Sequence, residues 1–427
     1  MVGGGKWRSA RIALTFLLKG SFIATIAAAL TSGMGMSRAD EPAEGDEAAD
    51  YPRFEIEVSG KFQSNDTYKS KTRGAKVRDT YNDTDFNLSL YFNEDVWGRS
   101  HLKVDRVRSK ADNEDRFFED HALFVEEADL NIQRGWFHLY VGKFNPKFGI
   151  AWDRAPGFFG NDVAEDAYEL KEGIGVGADA TIEDEQAGKI TFGVAAFFFD
   201  NTWLSSSVMS HPKPSDRRFG SGEKDIERFG RNRHRYGGSG NTHGPSSLAV
   251  TVDGVDIAVL PGLSYHLGFV RIDQGEDVER PQYFYGIGLE YQAQLTESVS
   301  LRPLVEYVYR RNVNGNPIEL DDTAGRKVAR RQNAHYITAG FDLGYQNWTA
   351  SFSFTGTRFE EPSDGSGPNG RDANERLYSV ALGYRFDIGI GMHLGWKRED
   401  LLDADRGSRV NNDTYGVQLS YKFGFAY

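Results

Sequence analysis

The feature that most constrains the fold is an alternation of apolar and polar residues that recurs along most of the chain. It is clearest at the C-terminus, where every second residue from Tyr415 to Tyr427 is Tyr, Val, Leu or Phe and the residues between them are polar or small. Successive side chains of a strand point to opposite faces, so this pattern predicts a strand with one apolar face and one polar face.

The same alternation predicts sixteen strands. One segment runs from Tyr283 to Leu295, and another from Trp348 to Thr355 places four hydroxyl side chains on one face. The predicted strands span about 53–63, 83–92, 96–107, 121–133, 136–144, 173–183, 188–199, 248–259, 262–272, 282–295, 299–310, 335–346, 348–358, 376–386, 390–398 and 413–427.

Three of these segments break the simple pattern. Segment 121–133 requires a shift of register at Glu126-Glu127, and segment 248–259 predicts a bulge near Asp253-Gly254. Segment 188–199 places Phe197 and Phe199 on the otherwise polar face.

The connections alternate between short and long. Seven short ones lie near residues 94–95, 134–135, 184–187, 261, 296–298, 347 and 387–389, and eight long ones near 64–82, 108–120, 145–172, 200–247, 273–281, 311–334, 359–375 and 399–412. This sorting is typical of an up-and-down barrel with short periplasmic turns and long extracellular loops. The sequence therefore predicts an all-β fold, a transmembrane antiparallel barrel of about sixteen strands that spans 53–427. A barrel of this size encloses an aqueous channel.

Composition excludes several other classes of protein. The chain has no Cys, which excludes disulfides, Cys-based metal sites and thiol catalysis. The mean hydropathy of −0.54 is too low for a bundle of membrane-spanning helices, and no segment after residue 39 approaches the run of about 20 apolar residues that such a helix needs. The formal net charge of −12 disfavours a nucleic-acid partner.

Residues 1–39 have the features of a cleaved secretory signal peptide. Lys6, Arg8 and Arg11 precede the apolar run 20–30, and the small residues Ser37 and Ala39 define a cleavage site before Asp40. Export from a bacterial cytoplasm is therefore expected. Segment 40–52, which contains six acidic residues and no basic residue, is predicted to be a solvated periplasmic segment.

The predicted topology and the aromatic C-terminal strand resemble those of the sixteen-stranded general porins of Gram-negative outer membranes. That family usually ends in Phe, where this chain ends in Tyr427. The resemblance implies that the loop after the fifth strand, about 145–172, folds into the lumen and constricts it. Its segment 156–162, PGFFGND, is similar to a Pro-Glu-Phe-Gly-Gly-Asp turn of the family but is one residue longer and lacks the Glu.

Charged residues define the candidate pore site. A pore discriminates by its bore and by the charges at its narrowest part, and loop 145–172 carries a net charge of −3. The candidate residues of the constriction are its six carboxylates: Asp153, Asp162, Glu165, Asp166, Glu169 and Glu172. The candidate residues of the pore wall are Arg99, Lys103 and Arg302, which lie on polar strand faces. The acidic loop and the basic wall residues would together set up an electric field across the lumen.

These features predict an outer-membrane porin for passive diffusion of small hydrophilic solutes and ions. One alternative is a solute-selective channel, for example for phosphate or sugars, which needs a ladder of basic residues or a track of aromatic residues on lumen faces; the sequence indicates only scattered basic residues and no consistent track. A second alternative is a structural or adhesive barrel. An enzyme is not expected, because the chain has no GxSxG, HExxH or GxxxxGK[ST] motif.

The expected partners follow from this interpretation. They are outer-membrane lipid, two further copies of the chain in a homotrimer, and the outer-membrane assembly machinery, which would contact the C-terminal strand. The basic loop 200–247, with eight basic and five acidic residues, is expected to bind anionic lipopolysaccharide, to funnel anions toward the mouth of the pore, or to be a plain surface loop. No cofactor and no metal ion are expected.

Overall fold

The computed structural model describes residues 51–426 except 72–73, 108–112, 206–208, 211–237, 276–277, 314, 316–317, 322–326, 331–332, 361–373 and 404–407. The predicted signal peptide, nearly all of segment 40–52, Tyr427 and most of the basic loop 200–247 lie outside the described residues. In the part that is described, no helix is long and apolar enough to cross a membrane.

Sixteen long antiparallel strands make up the described fold, as predicted. Their bounds are β1 Arg53–Ser70, β2 Arg78–Tyr91, β3 Val96–Arg106, β4 His121–Arg134, β5 Phe137–Phe144, β6 Gly173–Asp184, β7 Gly188–Phe199, β8 Ser247–Val255, β9 Leu263–Ile272, β10 Gln282–Tyr291 with its continuation Ala293–Thr296, β11 Val299–Arg311, β12 Ala334–Tyr345, β13 Trp348–Phe359, β14 Asn374–Arg385, β15 Gly391–Asp403 and β16 Ser408–Ala426. Two short helices, α1 Ala151–Arg154 and α2 Asp162–Tyr168, lie between β5 and β6.

The strands close into a barrel. Each strand pairs with its neighbour in sequence, and the first strand pairs with the last, from Glu55 opposite Ala426 to Ser70 opposite Asn412. A bulge between Thr67 and Lys69 is the one irregularity along that seam. Closure leaves neither β1 nor β16 with an unpaired edge, which is the condition for a sheet to exist in lipid.

The two faces of the barrel are inverted relative to those of a soluble protein. Outward residues are apolar and exposed, as Ile287, Val380 and Leu394 show with 46%, 44% and 48% exposure. Many inward residues are polar, small or charged, and Thr338 and Ser353 among them are almost completely buried. The alternation in the sequence therefore separates a lipid-facing surface from a polar lumen.

The sorting of the connections is confirmed, but many predicted loops are shorter than expected. Residues 64–70 and 78–82 belong to β1 and β2, and 399–403 belongs to β15. The reason is that these ends are rich in polar residues and their few apolar residues do not form an alternating pattern, although backbone hydrogen bonds continue the ladder.

The three irregular segments have different outcomes. The register shift in β4 is confirmed, since Glu127 lies opposite His101, Val125 lies opposite Leu102, and Glu126 is the extra residue between them. The predicted bulge at Asp253-Gly254 is wrong, because β8 keeps an unbroken register with both neighbours to Gly254. The strand simply ends at Val255.

Adjacent residues of β2 give a test of the two faces. Leu88→Lys places a charge on the outer face near mid-strand, and we expect it to lower the free energy of unfolding in lipid vesicles by about 2–4 kcal/mol. Asn87→Lys, the matched control, places the same charge in the lumen and should change that free energy by at most about 0.5 kcal/mol. Denaturant unfolding followed by circular dichroism measures both, and equal losses would contradict the assignment of the faces.

Candidate pore site

Loop 145–172 follows the inner wall of the barrel from strand to strand. Phe148 lies against Gly268 and Gly286 of β9 and β10, and Pro156 lies against Gly340 of β12. Phe158 then reaches Gly395 and Gly416, which are on β15 and β16. The loop thus crosses most of the circumference before the chain enters β6, and it occupies lumen that the wall alone would leave open.

Apolar packing holds the first part of this loop. Phe148 makes an edge-to-face contact with Phe284 of β10 at 5.6 Å, and Tyr168 makes one with Tyr336 of β12 at 5.7 Å. Phe197, which broke the polar pattern of β7, is fully buried in the same cluster. Its place on the inner face is therefore explained: it packs under the loop instead of facing water.

A carboxylate of the wall fixes the start of α1. Glu306 of β11 is 1% exposed and accepts hydrogen bonds from the N–H groups of Ile150 and Ala151, the latter at 3.1 Å. The Tyr168 hydroxyl donates to the same carboxylate at 2.6 Å. A buried charge is tolerated here because its oxygens receive three donors.

His266 of β9 holds the turn that precedes α1. Its Nε2 accepts a hydrogen bond from the Gly149 N–H at 2.9 Å, so its Nδ1 carries the proton and donates to Asp253 at 2.7 Å. Gly149 has φ of +71°, a conformation that a residue with a Cβ rarely adopts. The loop is therefore attached to the wall at its backbone as well as through its apolar side chains.

Helix α2 and the residue that follows it gather four of the predicted constriction carboxylates, of which Asp162, Glu165 and Asp166 lie in the helix and Glu169 is its C-cap. Asp162 forms an ion pair of 2.8 Å with Lys397 of β15, and Glu165 forms one of 3.1 Å with Lys171 of the loop itself. Burial acts to raise the pKa of Glu165, but Lys171, with Lys61 and Lys103 of the wall, outweighs burial and the net pKa is lowered. Glu165 therefore stays ionised and faces basic residues.

The other two carboxylates of this group behave differently. Burial raises the pKa of Glu169 to about 7, although Lys171 lies 2.6 Å away and opposes the shift. Burial also raises the pKa of Asp166, and the neighbouring Glu165 and Asp162 add to that rise. With a pKa of about 7, Glu169 changes its charge near neutral pH.

Two predicted carboxylates lie apart from this group. Asp153 is on α1, with 64% of its side chain exposed. Glu172 is buried at the base of the loop, where the Lys143 ammonium lies 2.8 Å from it and 2.8 Å from Asp200. This buried cluster joins the loop to β5 and to the connection after β7, so Glu172 contacts protein and not the water of the lumen.

The three predicted wall residues all point inward, and each is paired. Arg99 lies 2.8 Å from Asp129, and Lys103 lies 3.5 Å from Asp83. Arg302 contacts Asp342 and Glu290 of the wall and donates to the carbonyl of Arg154 at 3.0 Å. Arg302 therefore positions the loop, whereas Lys103 lies near the acidic helix.

Sequence reasoning missed several residues of this site. The anchors Glu306 and His266, the wall lysines Lys61 and Lys397, and the loop cation Lys171 were not singled out. One signal was present: the five inward glycines Gly286, Gly288, Gly340, Gly395 and Gly416 are spread over four strands, and each leaves room for a loop side chain. No pattern in a single strand indicates which loop fills that room.

Comparison with known proteins is informative only in three dimensions. No protein-family model matches the chain, and no curated protein matches its sequence. The structure is similar to the outer membrane channel DcaP of Acinetobacter baumannii, with 11% identity, a TM-score of 0.53 and coverage of 88% of this chain and 99% of that chain. It is also similar to Salmonella typhi OmpF, solved in complex with daunomycin, with 13% identity, a TM-score of 0.53 and coverage of 87% and 98%.

The chain has a porin fold. At these low identities the similarity establishes the architecture alone, and at that level the resemblance to sixteen-stranded porins is confirmed. The site residues above are specific to this chain and rest on its own geometry.

The Glu306 anchor gives a test of how the loop is held. Glu306→Gln keeps the size of the side chain but turns an amide NH₂ toward the N–H donors of α1, so we expect the free energy of local opening to fall by about 2–3 kcal/mol. Hydrogen exchange of peptides that cover 148–168 measures this loss. Asp153→Asn, on the same loop but exposed, is the matched control, and equal protection in both variants would contradict the anchoring role.

Proposed function

We propose that the protein is an outer-membrane porin that forms a water-filled channel for passive diffusion of small hydrophilic solutes and ions. The observation that carries this proposal is the course of loop 145–172 around a polar inner wall. A passive pore requires a wet lumen with a local narrowing whose charges discriminate among solutes, and this loop would supply both the narrowing and the charges.

The charges of the narrowing would act as a transverse field. Helix α2 and its C-cap present four carboxylates, Asp162, Glu165, Asp166 and Glu169. Lys61 of β1 and Lys103 of β3 lie near enough to Glu165 to lower its pKa. Such a field orients water and dipolar solutes at the point where they are least hydrated. In this proposal the four carboxylates of α2 and its C-cap act on the solute together with Lys103. Arg302 and Glu172 position the loop, Asp153 adds exposed charge, and Arg99 lies farther along the wall.

The cellular setting belongs to the same proposal. Residues 1–39 would act as a cleaved signal peptide, and the chain would insert in the outer membrane as a homotrimer with lipid around its apolar face. The C-terminal strand would be the contact for the assembly machinery. The seam of β16 with β1 supports this last point, since β16 must be in place before the barrel closes.

Conductance of the purified protein in a planar bilayer is the direct test. We expect a large, linear single-channel conductance and a modest preference for cations at 0.1 M salt or below, because the loop is acidic. The preference should fade as salt rises, since the screening length is about 10 Å at 0.1 M and about 3 Å at 1 M. A conductance near zero would favour a structural or adhesive barrel and contradict the proposal.

The pKa of Glu169 predicts a pH step in ion preference. A carboxyl group with a pKa of about 7 is mostly neutral at pH 6 and mostly ionised at pH 8, so the preference for cations should be stronger at pH 8. Reversal potentials at low salt measure the step. Glu169→Gln should abolish it, whereas Asp153→Asn should leave it in place. Persistence of the step in Glu169→Gln would assign it to another group.

A further inference from the structure

One of the hydrogen bonds that attach loop 145–172 to the inner wall uses a nitrogen lone pair of a histidine. His266 of β9 is 3% exposed, and its Nε2 accepts the N–H of Gly149 at 2.9 Å. A neutral imidazole has one ring nitrogen that accepts a hydrogen bond, whereas both nitrogens of the charged ring carry protons and only donate. The Gly149 N–H and a second ring proton therefore compete for the same lone pair.

Two carboxylates and one phenol surround the His266 ring. Asp253 of β8 lies directly opposite His266 and accepts its Nδ1–H at 2.7 Å. Glu306 of β11 lies close enough to interact electrostatically with the ring, and the Tyr168 hydroxyl of α2 donates to Glu306 at 2.6 Å. The residue opposite His266 on β10 is Gly288, which adds no charge. Both carboxylates stabilise a charged ring, while the bond from the loop N–H stabilises the neutral one.

The turn at 148–150 leaves no second position for that bond. Gly149 has φ of +71°, and the Phe148 ring meets His266 edge to face at 6.5 Å. On the wall side a Cβ at Gly268 would lie 2.8 Å from Nε2 and 2.8 Å from the Phe148 ring. The charged residue before this turn, Lys147, is already paired with Asp179 at 2.8 Å. A proton can therefore bind at Nε2 only when the Gly149 backbone moves away from the ring.

We propose that His266 is an acid-sensitive attachment of the constricting loop. When the ring takes a second proton from water, Nε2–H faces the Gly149 N–H, the hydrogen bond is lost, and the turn at 148–150 is released. The attached state binds no proton at Nε2 and the released state binds one, so falling pH shifts the population toward the released state. The inference adds regulation to the loop on which the proposed channel function rests.

The release is confined to the turn. Glu306 still accepts the N–H groups of Ile150 and Ala151, and Phe148 belongs to the buried apolar cluster under the loop. The loop therefore stays in the lumen at acid pH, but the start of α1 is held by one wall residue instead of two. Acid would loosen the narrowing and leave the barrel unchanged.

Hydrogen exchange of the wild-type protein in lipid nanodiscs tests this attachment. The measured peptides cover 146–152, and their rates are corrected for the intrinsic pH dependence of amide exchange. Between about pH 8 and about pH 5, where histidines change charge, we expect protection at 148–150 to fall. The fall should reach about tenfold per pH unit where the ring titrates, because release takes up one proton.

Three variants separate His266 from other groups. In His266→Gln the amide oxygen still accepts the Gly149 N–H but takes no proton in this range, so protection should stay high and nearly constant. Asp253→Asn keeps an acceptor for Nδ1–H but removes the charge, so the fall should move to lower pH by about one unit. The matched control is Glu169→Gln, which removes a loop carboxyl that titrates near neutral pH and should leave the fall at 148–150 in place.

The remaining outcomes decide against the attachment or for it. Protection that does not change with pH in the wild type overturns it, and so does an equal fall in the wild type and in His266→Gln. If His266→Gln does not fold, as judged by gel mobility before and after heating, Asp253→Asn decides, and a fall at the wild-type pH overturns the attachment. Absence of ion current would contradict the channel proposal alone, because pH-dependent protection at Gly149 is measured without current.

Discussion

The structure depends on one constraint: every backbone N–H and C=O group that faces lipid must find its hydrogen-bond partner inside the protein. Sixteen strands meet it by pairing in sequence, and the seam of β1 with β16 removes the last free edges. Once the backbone hydrogen bonds are complete, the side chains differ according to the solvent that they face. Apolar residues such as Ile287 and Val380 face outward, and the lumen receives the polar residues that a soluble protein would expose.

A polar lumen creates a second problem, because a loop placed inside it must be held without a conventional core. Where the loop lies against the inner wall, small residues of the wall leave room for apolar side chains of the loop. Glycines on β10 to β16 make room for Phe148, Pro156 and Phe158 of the loop. Where room alone is insufficient, Glu306 and His266 bind backbone N–H groups of the loop. The narrowing is thus attached by contacts on many strands.

The ionised groups of the lumen are organised as pairs, not as blocks of one sign. Lys397 contacts Asp162, and Arg99 contacts Asp129, so the field across the lumen is a sum of neighbouring dipoles. Because most charges are paired, the field depends strongly on the few groups whose charge changes with pH. Burial makes Glu169 one of these groups.

The sequence by itself determined the sixteen strands, their inward and outward faces, the sides of the short and long connections, and the bulge at Glu126, because all of these follow from residue alternation within one strand. It also indicated loop 145–172 and the inward position of Arg99, Lys103 and Arg302. Only the tertiary structure decided that Glu172 is buried with Lys143 and that Glu306 fixes the start of α1. The physical reason is that these contacts join the loop to different strands, and their distances depend on register and closure, which no local pattern encodes.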